Sequence, residues 1–384
     1  MTVTPGAVAA VDLGATSGRV IVGRLEDGVL QTRHVARFSN DPVHTRDGMH
    51  WNLLELYRQV TLGLAAAERD APGEIASVGI DSWAVDYGLF RGGRMLGTPY
   101  HYRDARNVEG VAAVHGIVGP EELYARNGLQ HLTFNTLFQL ATEGEMLQFA
   151  DSLLLIPDLL NYWLTGQKFA ERTNASTTGL LDARTGEWDV SLAERLGIPA
   201  ALLPPLIDAG SSVGSLSPDV ALTVGRALEV VAVGSHDTAS AIVAIPNTGR
   251  DFAYVSCGTW GLVGLELDTP ILSDDARRAN FTNEGGVDGR TRFLHNVMGL
   301  WLLSESLRHW EPAATDAQRS SLLGELLAEA AKVSSDVPIF DVNDPAFLPS
   351  GDIPERRRAW HLAHGERAPG TRAQEARRSH ASRP

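Results

Sequence analysis

The stretch AAVDLGATSGRVIVGRL, residues 9–25, decides the fold. Ala9–Leu13 is a short apolar run closed by a glycine, and it reads as a buried strand. Gly14, Ala15, Thr16, Ser17 and Gly18 form a tight turn, and Arg19–Leu25 is the return strand. Far downstream, AYVSCGTWGLVGLEL (253–267) repeats the pattern around Gly258, Thr259, Trp260 and Gly261. Neither turn leads into a helix, which argues against a dinucleotide-binding loop and against a P-loop. Small residues and hydroxyls at a hairpin tip let backbone N–H groups approach an anion closely, although glycine also suits any tight hairpin. Two such hairpins, each opening a long half, predict an internally duplicated chain with a phosphate clamp between the halves.

The segments between the hairpins mix strands with helices, which makes the class α/β. IASVGIDSWAVDYGLF (75–90) reads as strand, polar turn, strand, with Asp81 and Asp86 in or beside the turn. Leu53, Leu56, Tyr57, Val60 and Leu64 recur at helical spacing. In VVAVGSHDTASAIVA (230–244), Val230–Val233 is a strand that Gly234 breaks, and Thr238–Ala244 opens a helix. His236 and Asp237 therefore fall at the carboxyl end of a strand, where open α/β sheets bind ligands. From the local pattern alone, Asp237 is either a helix cap or a reactive carboxylate, and His236 either a satisfied core histidine or a ligand contact.

At 384 residues the chain is long for one domain, and two are expected. A formal net charge of −14 argues against nucleic acid and anionic membrane as partners. It leaves a phosphorylated substrate open, since local loops and Mg²⁺ hold phosphate on acidic proteins. The single cysteine, Cys257, can form no internal disulfide, and a reducing cytoplasm is expected. No apolar run is long enough to span a membrane. Residues 355–384 hold eight arginines but only two large apolar residues, Trp360 and Leu362, and are expected to be disordered.

Taken together, these segments resemble the FGGY carbohydrate kinases, and within them the rhamnulokinases. The residues that carry the resemblance are AAVDLGATSGR (9–19), VGIDSWAVDYGL (78–89), YRDAR (102–106), GLQHLTFNTLFQL (128–140), LLLIPDLLNYWLTG (153–166), TNASTTGL (173–180), GSHDTASA (234–241), SCGTWGL (256–262), NEGG (283–286) and NVMGLWLL (296–303). The resemblance implies two ribonuclease-H-like domains of the actin-like ATPase type, with a cleft between them. ATP would sit largely on the second domain and the sugar on the first. The implied reaction moves the γ-phosphate of ATP to the 1-hydroxyl of L-rhamnulose, with Mg²⁺ bridging the phosphates. In the family the residue at Asp237 is the base that accepts the hydroxyl proton, which raises the reactive reading over the cap. His236 and Thr238 would hydrogen-bond the sugar, and so would Asn296, whose bland alternative is a helix cap. Ala15, Thr16, Ser17, Gly18, Arg19 and Thr259 match the two phosphate turns, and Asp12 would hold Mg²⁺ through water. Trp83, Trp260 and Trp301 are expected to pack rather than to stack on a ligand.

Two positions depart from the family pattern. Ala84 stands where glycine is usual in the turn that touches the sugar, and Ser304 where a glutamine commonly reaches the nucleotide. After Pro354 the motifs stop, and no Gly-Gly-Gly turn of the adenine pocket follows. The expected domains are 1–245 on the sugar side, 246–354 as an incomplete ATP side, and 355–384 as an aberrant tail from a truncated or frame-shifted end. An alternative follows: an impaired relative that binds sugar at most, or a kinase for a similar ketose such as L-fuculose or L-xylulose. A sugar-responsive repressor would want an N-terminal basic helix-turn-helix, and the chain starts directly on the phosphate hairpin.

Overall fold

The computed structural model describes residues 6–246, 249, 252–257, 260–333, 339–347 and 351–366. Its opening run is β1 (Ala7–Leu13), in which Ala7, Ala9, Val11 and Leu13 are buried and the residues between them are not. That alternation is the period of a strand with one fully covered face. The strand pairs antiparallel with β2 (Ser17–Glu26), and β2 with β3 (Val29–Ser39). On its other side β1 runs parallel to the strand Ile75–Ser82, which runs parallel to Glu229–Val231. The short strand Ser212–Ser215 completes a six-stranded sheet. The three parallel strands end side by side, so that Asp12 stands opposite Asp81 and Ser82 bridges to His236. Helix α1 (Leu53–Asp70) covers the sheet with Leu53, Leu56, Val60 and Leu64, each contributing roughly 1.5–3 kcal/mol on burial.

Residues 75–90 do not form a hairpin. The strand Tyr87–Arg91 leaves the first sheet and pairs instead with Ser152–Leu155 and Arg94–Met95. The chain changes sheet at Trp83–Asp86, and a second core gathers Tyr87, Leu89, Leu137, Phe138, Leu153 and Leu155.

The chain divides into two compact units, Met1–Phe252 with Leu265–Phe293, and Ala253–Gly264 with Leu294–Pro384. This differs from a single boundary near residue 245. Residues 265–293 join the larger unit because their polar groups are satisfied there: the Asn283 N–H donates to the Gly128 carbonyl (2.9 Å) and the Gly285 N–H to Ser176 Oγ (2.7 Å).

The smaller unit contains the strand Ala253–Cys257 and the start of Trp260–Leu267, the arms of the second hairpin. Its core is Met298, Trp301, Leu302, Phe340, Val342, Phe347 and Ile353, with Trp260 packed against it. The expectation of disorder from residue 355 does not hold for its first turns, because Ile353–Ala363 is a helix with Ile353, Pro354, Arg357 and His361 buried. Counting large apolar residues missed it, since Arg and His bury their stems and rings as well. Trp360 Nε1 donates to Asp344 Oδ2 at 2.8 Å, and His361 Nδ1 lies 2.7 Å from Glu366 Oε2. Residues 367–384 lie outside the described residues. No helix among the described residues is long and apolar enough to cross a membrane.

Candidate active site

The strand Glu229–Val231 ends in a turn through Gly234, Ser235 and His236, and a helix runs from Asp237 to Val243. His236, in extended conformation, occupies the cap position, and no side chain caps the helix. The capping reading of Asp237 therefore fails: the residue is the first of the helix. Its side chain remains 34% exposed, with Oδ1 3.6 Å from His236 Nε2. Burial pushes its pKa up and the Asp12 carboxylate adds to that, while His236, the Thr238 N–H and Arg292 pull the other way.

Asp12 and Asp81 share this end of the sheet. Asp81 is held well above the ordinary carboxylate range, first by burial and then by Asp12 and Asp237. Its Oδ1 is buried with no hydrogen-bond partner among the described residues. Arg19 offsets part of the negative charge through a 3.2 Å contact from Nε to Asp12 Oδ2. Arg19, expected on a phosphate, thus faces Asp12 across the β1–β2 ladder.

At the hairpin tip the Gly14 N–H donates to the Ser17 carbonyl (2.9 Å), and Asn40 ties the loop down through its N–H to Thr16 O (3.0 Å) and its Nδ2 to Gly14 O (2.9 Å). Thr16 is exposed, Ala15 and Ser17 are half-buried, and Ser17 to Arg19 already belong to β2. A Cβ on Gly18 would lie 2.3 Å from the Phe38 ring, so packing against that ring is enough to require this glycine.

His236 is held by a residue that the motifs did not single out. Arg292, 0% exposed, donates Nη2 to His236 Nδ1 (2.9 Å) and to Glu284 Oε2 (3.0 Å), Nη1 to Thr238 Oγ1 (2.8 Å) and Nε to the Gly285 carbonyl (3.0 Å). Since arginine only donates, His236 Nδ1 accepts and its Nε2 carries the proton toward Thr238 Oγ1, 3.0 Å away. Thr238 then receives two donors and has its own hydroxyl proton to offer elsewhere. The signal in the sequence was present. Arg292 shares the buried face of its strand with Leu294, and a charge at a buried strand position needs partners.

On the same side, Ala84 begins a three-residue turn closed by the Asp86 N–H to the Ala84 carbonyl (2.9 Å), with Val85 at φ +68°. A β-branched residue is strained there, and the surroundings hold it: Thr136 Oγ1 donates to the Val85 carbonyl at 2.6 Å. Asp86, 1% exposed, anchors the turn. Its Oδ2 accepts from Trp51 Nε1 (2.6 Å), Trp83 Nε1 (3.1 Å) and the Tyr102 N–H (3.1 Å), and its Oδ1 from Gln139 Nε2 (2.9 Å). Trp83 is buried against Trp51, and Trp260 and Trp301 belong to the core of the smaller unit, so all three pack as expected.

The larger unit thus brings together Asp12, Arg19, Asp81, Ala84, His236, Asp237 and Thr238. Asn296 and Ser304 belong to the smaller unit. Asn296 lies within the strand Thr291–Met298 and is no helix cap, since the helix starts only at Trp301; Ser304 is exposed on that helix. Thr259 lies outside the described residues.

Comparison with known proteins divides the chain near residue 245 and not at the bounds of the two compact units. The N-terminal domain model of the FGGY family of carbohydrate kinases matches residues 7–244, and the C-terminal domain model matches 253–380, past the point where the motifs stop. A rhamnulokinase of Pectobacterium carotovorum is 41% identical over 379 residues, which cover 96% of this chain and 73% of that protein. A rhamnulokinase of Bacteroides thetaiotaomicron is 36% identical over 371 residues, covering 95% and 75%. The crystal structure of xylulose kinase from Rhodospirillum rubrum shares the fold with a TM-score of 0.73 at 19% identity, over 97% of this chain and 75% of that one.

Proposed function

The chain belongs to the FGGY family of carbohydrate kinases, and from that premise we propose that it transfers the γ-phosphoryl group of ATP to the 1-hydroxyl of L-rhamnulose. The observation that carries this reading is Asp237, an uncapped, part-exposed carboxylate at the carboxyl ends of three parallel strands, flanked by a histidine and a threonine that a buried arginine orients.

The 1-hydroxyl gives its proton to Asp237 as its oxygen attacks the γ-phosphorus. The new P–O bond forms as the bond to the bridging oxygen breaks, and ADP leaves with that electron pair. A carboxyl raised by burial and by Asp12 is the better base while it stays ionised. The Thr238 hydroxyl, already accepting from Arg292 and His236, donates to a sugar oxygen, and the Ala84 turn adds a further contact; Asn296 is assigned to the sugar by the family resemblance alone. The family resemblance alone assigns Ala15 to Gly18, Ser304 and Thr259, which lies outside the described residues, to ATP, and Arg19 with them, although its guanidinium meets Asp12 here.

Mg²⁺ fits the oxygen-rich end of the sheet. As the family resemblance implies, Asp12 would hold the ion through water, and the ion would neutralise phosphate charge there; among the described residues no group of three His, Cys, Asp or Glu could hold one directly. A reducing cytoplasm is the compartment proposed for the reaction, and a single free thiol, Cys257, is in keeping with it.

The test is ADP release by the purified chain with L-rhamnulose, L-fuculose and L-xylulose, and phosphorus–carbon NMR of the product. ADP release with none of them, or phosphate away from C1, refutes the reading. A preference for one of the other ketoses would follow from the Ala84 methyl, which stands beside the strained Val85.

A further inference from the structure

Glu171 lies 64 residues before Ser235 in the chain, yet the two are joined by two hydrogen bonds. It ends the short strand Ala170–Glu171 and is 0% exposed. Its Oε2 accepts from the Thr173 N–H (3.0 Å), Thr173 Oγ1 (2.5 Å), the Asn174 N–H (3.3 Å), the Ser235 N–H (2.9 Å) and Ser235 Oγ (3.0 Å). The first and third are ordinary capping bonds to the helix Arg172–Ala175. The bonds to Ser235 are not needed by that helix.

The same cluster fixes the rest of the turn. Thr173 Oγ1 accepts the His236 N–H at 3.3 Å, and the Ser235 carbonyl accepts the Ser82 N–H at 2.9 Å and Asn174 Nδ2 at 3.4 Å. The Glu171 N–H is itself held by both oxygens of buried Asp158, each at 3.3 Å. Every polar group of Ser235 is therefore tied down, directly before the residues that face the reacting hydroxyl. Glu171 Oε1 meanwhile is buried without a hydrogen-bond partner among the described residues, an arrangement that costs stability. A cap alone would not require it, since Ser or Thr caps a helix with a single side-chain oxygen and leaves no orphan.

We infer that Glu171 is a positioning residue for the phosphoryl transfer: it clamps the turn Gly234–His236 and so fixes where Asp237 meets the sugar hydroxyl. The inference rests on the kinase reading above. Misplacing a reacting group by about 1 Å costs on the order of 10²-fold in rate, so partial loosening should cost about tenfold or more.

Three variants test it: Glu171→Gln, Thr173→Val, which removes the hydroxyl between Glu171 and His236, and Thr173→Ser, which keeps it. At a temperature where all are folded, kcat should fall at least about tenfold in the first two, with the sugar KM within about threefold. Thr173→Ser should retain several-fold more kcat than Thr173→Val. Amide hydrogen exchange, read on the chain without substrate, should speed up in residues 230–242 and not across the rest of the unit. An unchanged kcat, a KM that rises in step with the loss, or exchange that rises everywhere overturns the inference. A wild-type chain that phosphorylates no ketose refutes the kinase reading instead, and the exchange result alone then decides the clamp.

Discussion

Asp86 sets a pH dependence that one substitution should remove. Its carboxyl is pushed up to about 7 by burial, against the pull of Gln139, Trp51, Trp83 and the Tyr102 N–H. Folding raises this pKa, so the folded chain holds the proton more tightly than the unfolded one. The stabilisation is whole below the ordinary value of 3.8 and is lost as pH rises through about 7. At about 1.4 kcal/mol per pH unit, the loss amounts to about 4 kcal/mol. Asp86→Asn cannot ionise and lacks this slope. Its amide would also point an N–H at Gln139 Nε2, which adds a pH-independent cost of about 1–3 kcal/mol. Other carboxyls raised by burial, Asp81, Asp158 and Glu171 among them, slope the same way in both proteins and cancel in the difference. Urea unfolding followed by tryptophan fluorescence suits the question, because Trp51 and Trp83 both donate to Asp86 and pack with ring centroids 3.9 Å apart. Between pH 5 and pH 8 the advantage of wild type over Asp86→Asn should shrink by about 3 kcal/mol. Parallel stability curves for the two proteins across that range would show that Asp86 stays ionised throughout and that the reasoning is wrong.

Asp237→Asn should lower kcat at least about 10²-fold while sugar affinity, measured by equilibrium binding, stays close to normal; near-normal turnover would remove Asp237 from the catalytic role. The base is lost as pH falls through the raised pKa of Asp237, so kcat/KM should decline on the acid side. Asp12→Asn should move that limb to lower pH by removing a charge that raises it; an unmoved limb argues against the coupling. Arg292→Lys leaves one nitrogen with three donors where three nitrogens served four acceptors, so at least one charge-assisted bond of about 1.5–3 kcal/mol is lost. The larger unit should unfold earlier in urea and the sugar KM should rise tenfold or more, on the order of the 1.4 kcal/mol that a factor of ten represents; an unchanged KM would show that His236 and Thr238 do not depend on this arginine.

Local chemistry settled what the sequence could settle. The β1–β2 hairpin, helix α1 and the strand-to-helix turn at Gly234 depend on side-chain period and on turn residues a few positions apart, and they formed where the pattern placed them. Asp12, His236, Asp237 and Thr238 stood out because they lie at a strand end or a strand-to-helix turn, but their proposed roles came from the family resemblance and not from the local pattern. Tertiary structure decided the rest. Arg292 reaches His236 across 56 residues and Glu171 reaches Ser235 across 64, and no short-range pattern encodes which buried charge meets which acceptor. The sheet change at Trp83–Asp86 was hidden because a strained turn at Val85 and a hairpin turn look alike until the partner strand, Ser152–Leu155, is known. The helix Ile353–Ala363 was hidden because its buried face is built partly from Arg357 and His361, whose burial depends on packing that only the folded unit supplies. The sequence by itself therefore determined the strand ends and the reactive types on them; pairing across the chain determined which of those groups is held, oriented and made ready to act.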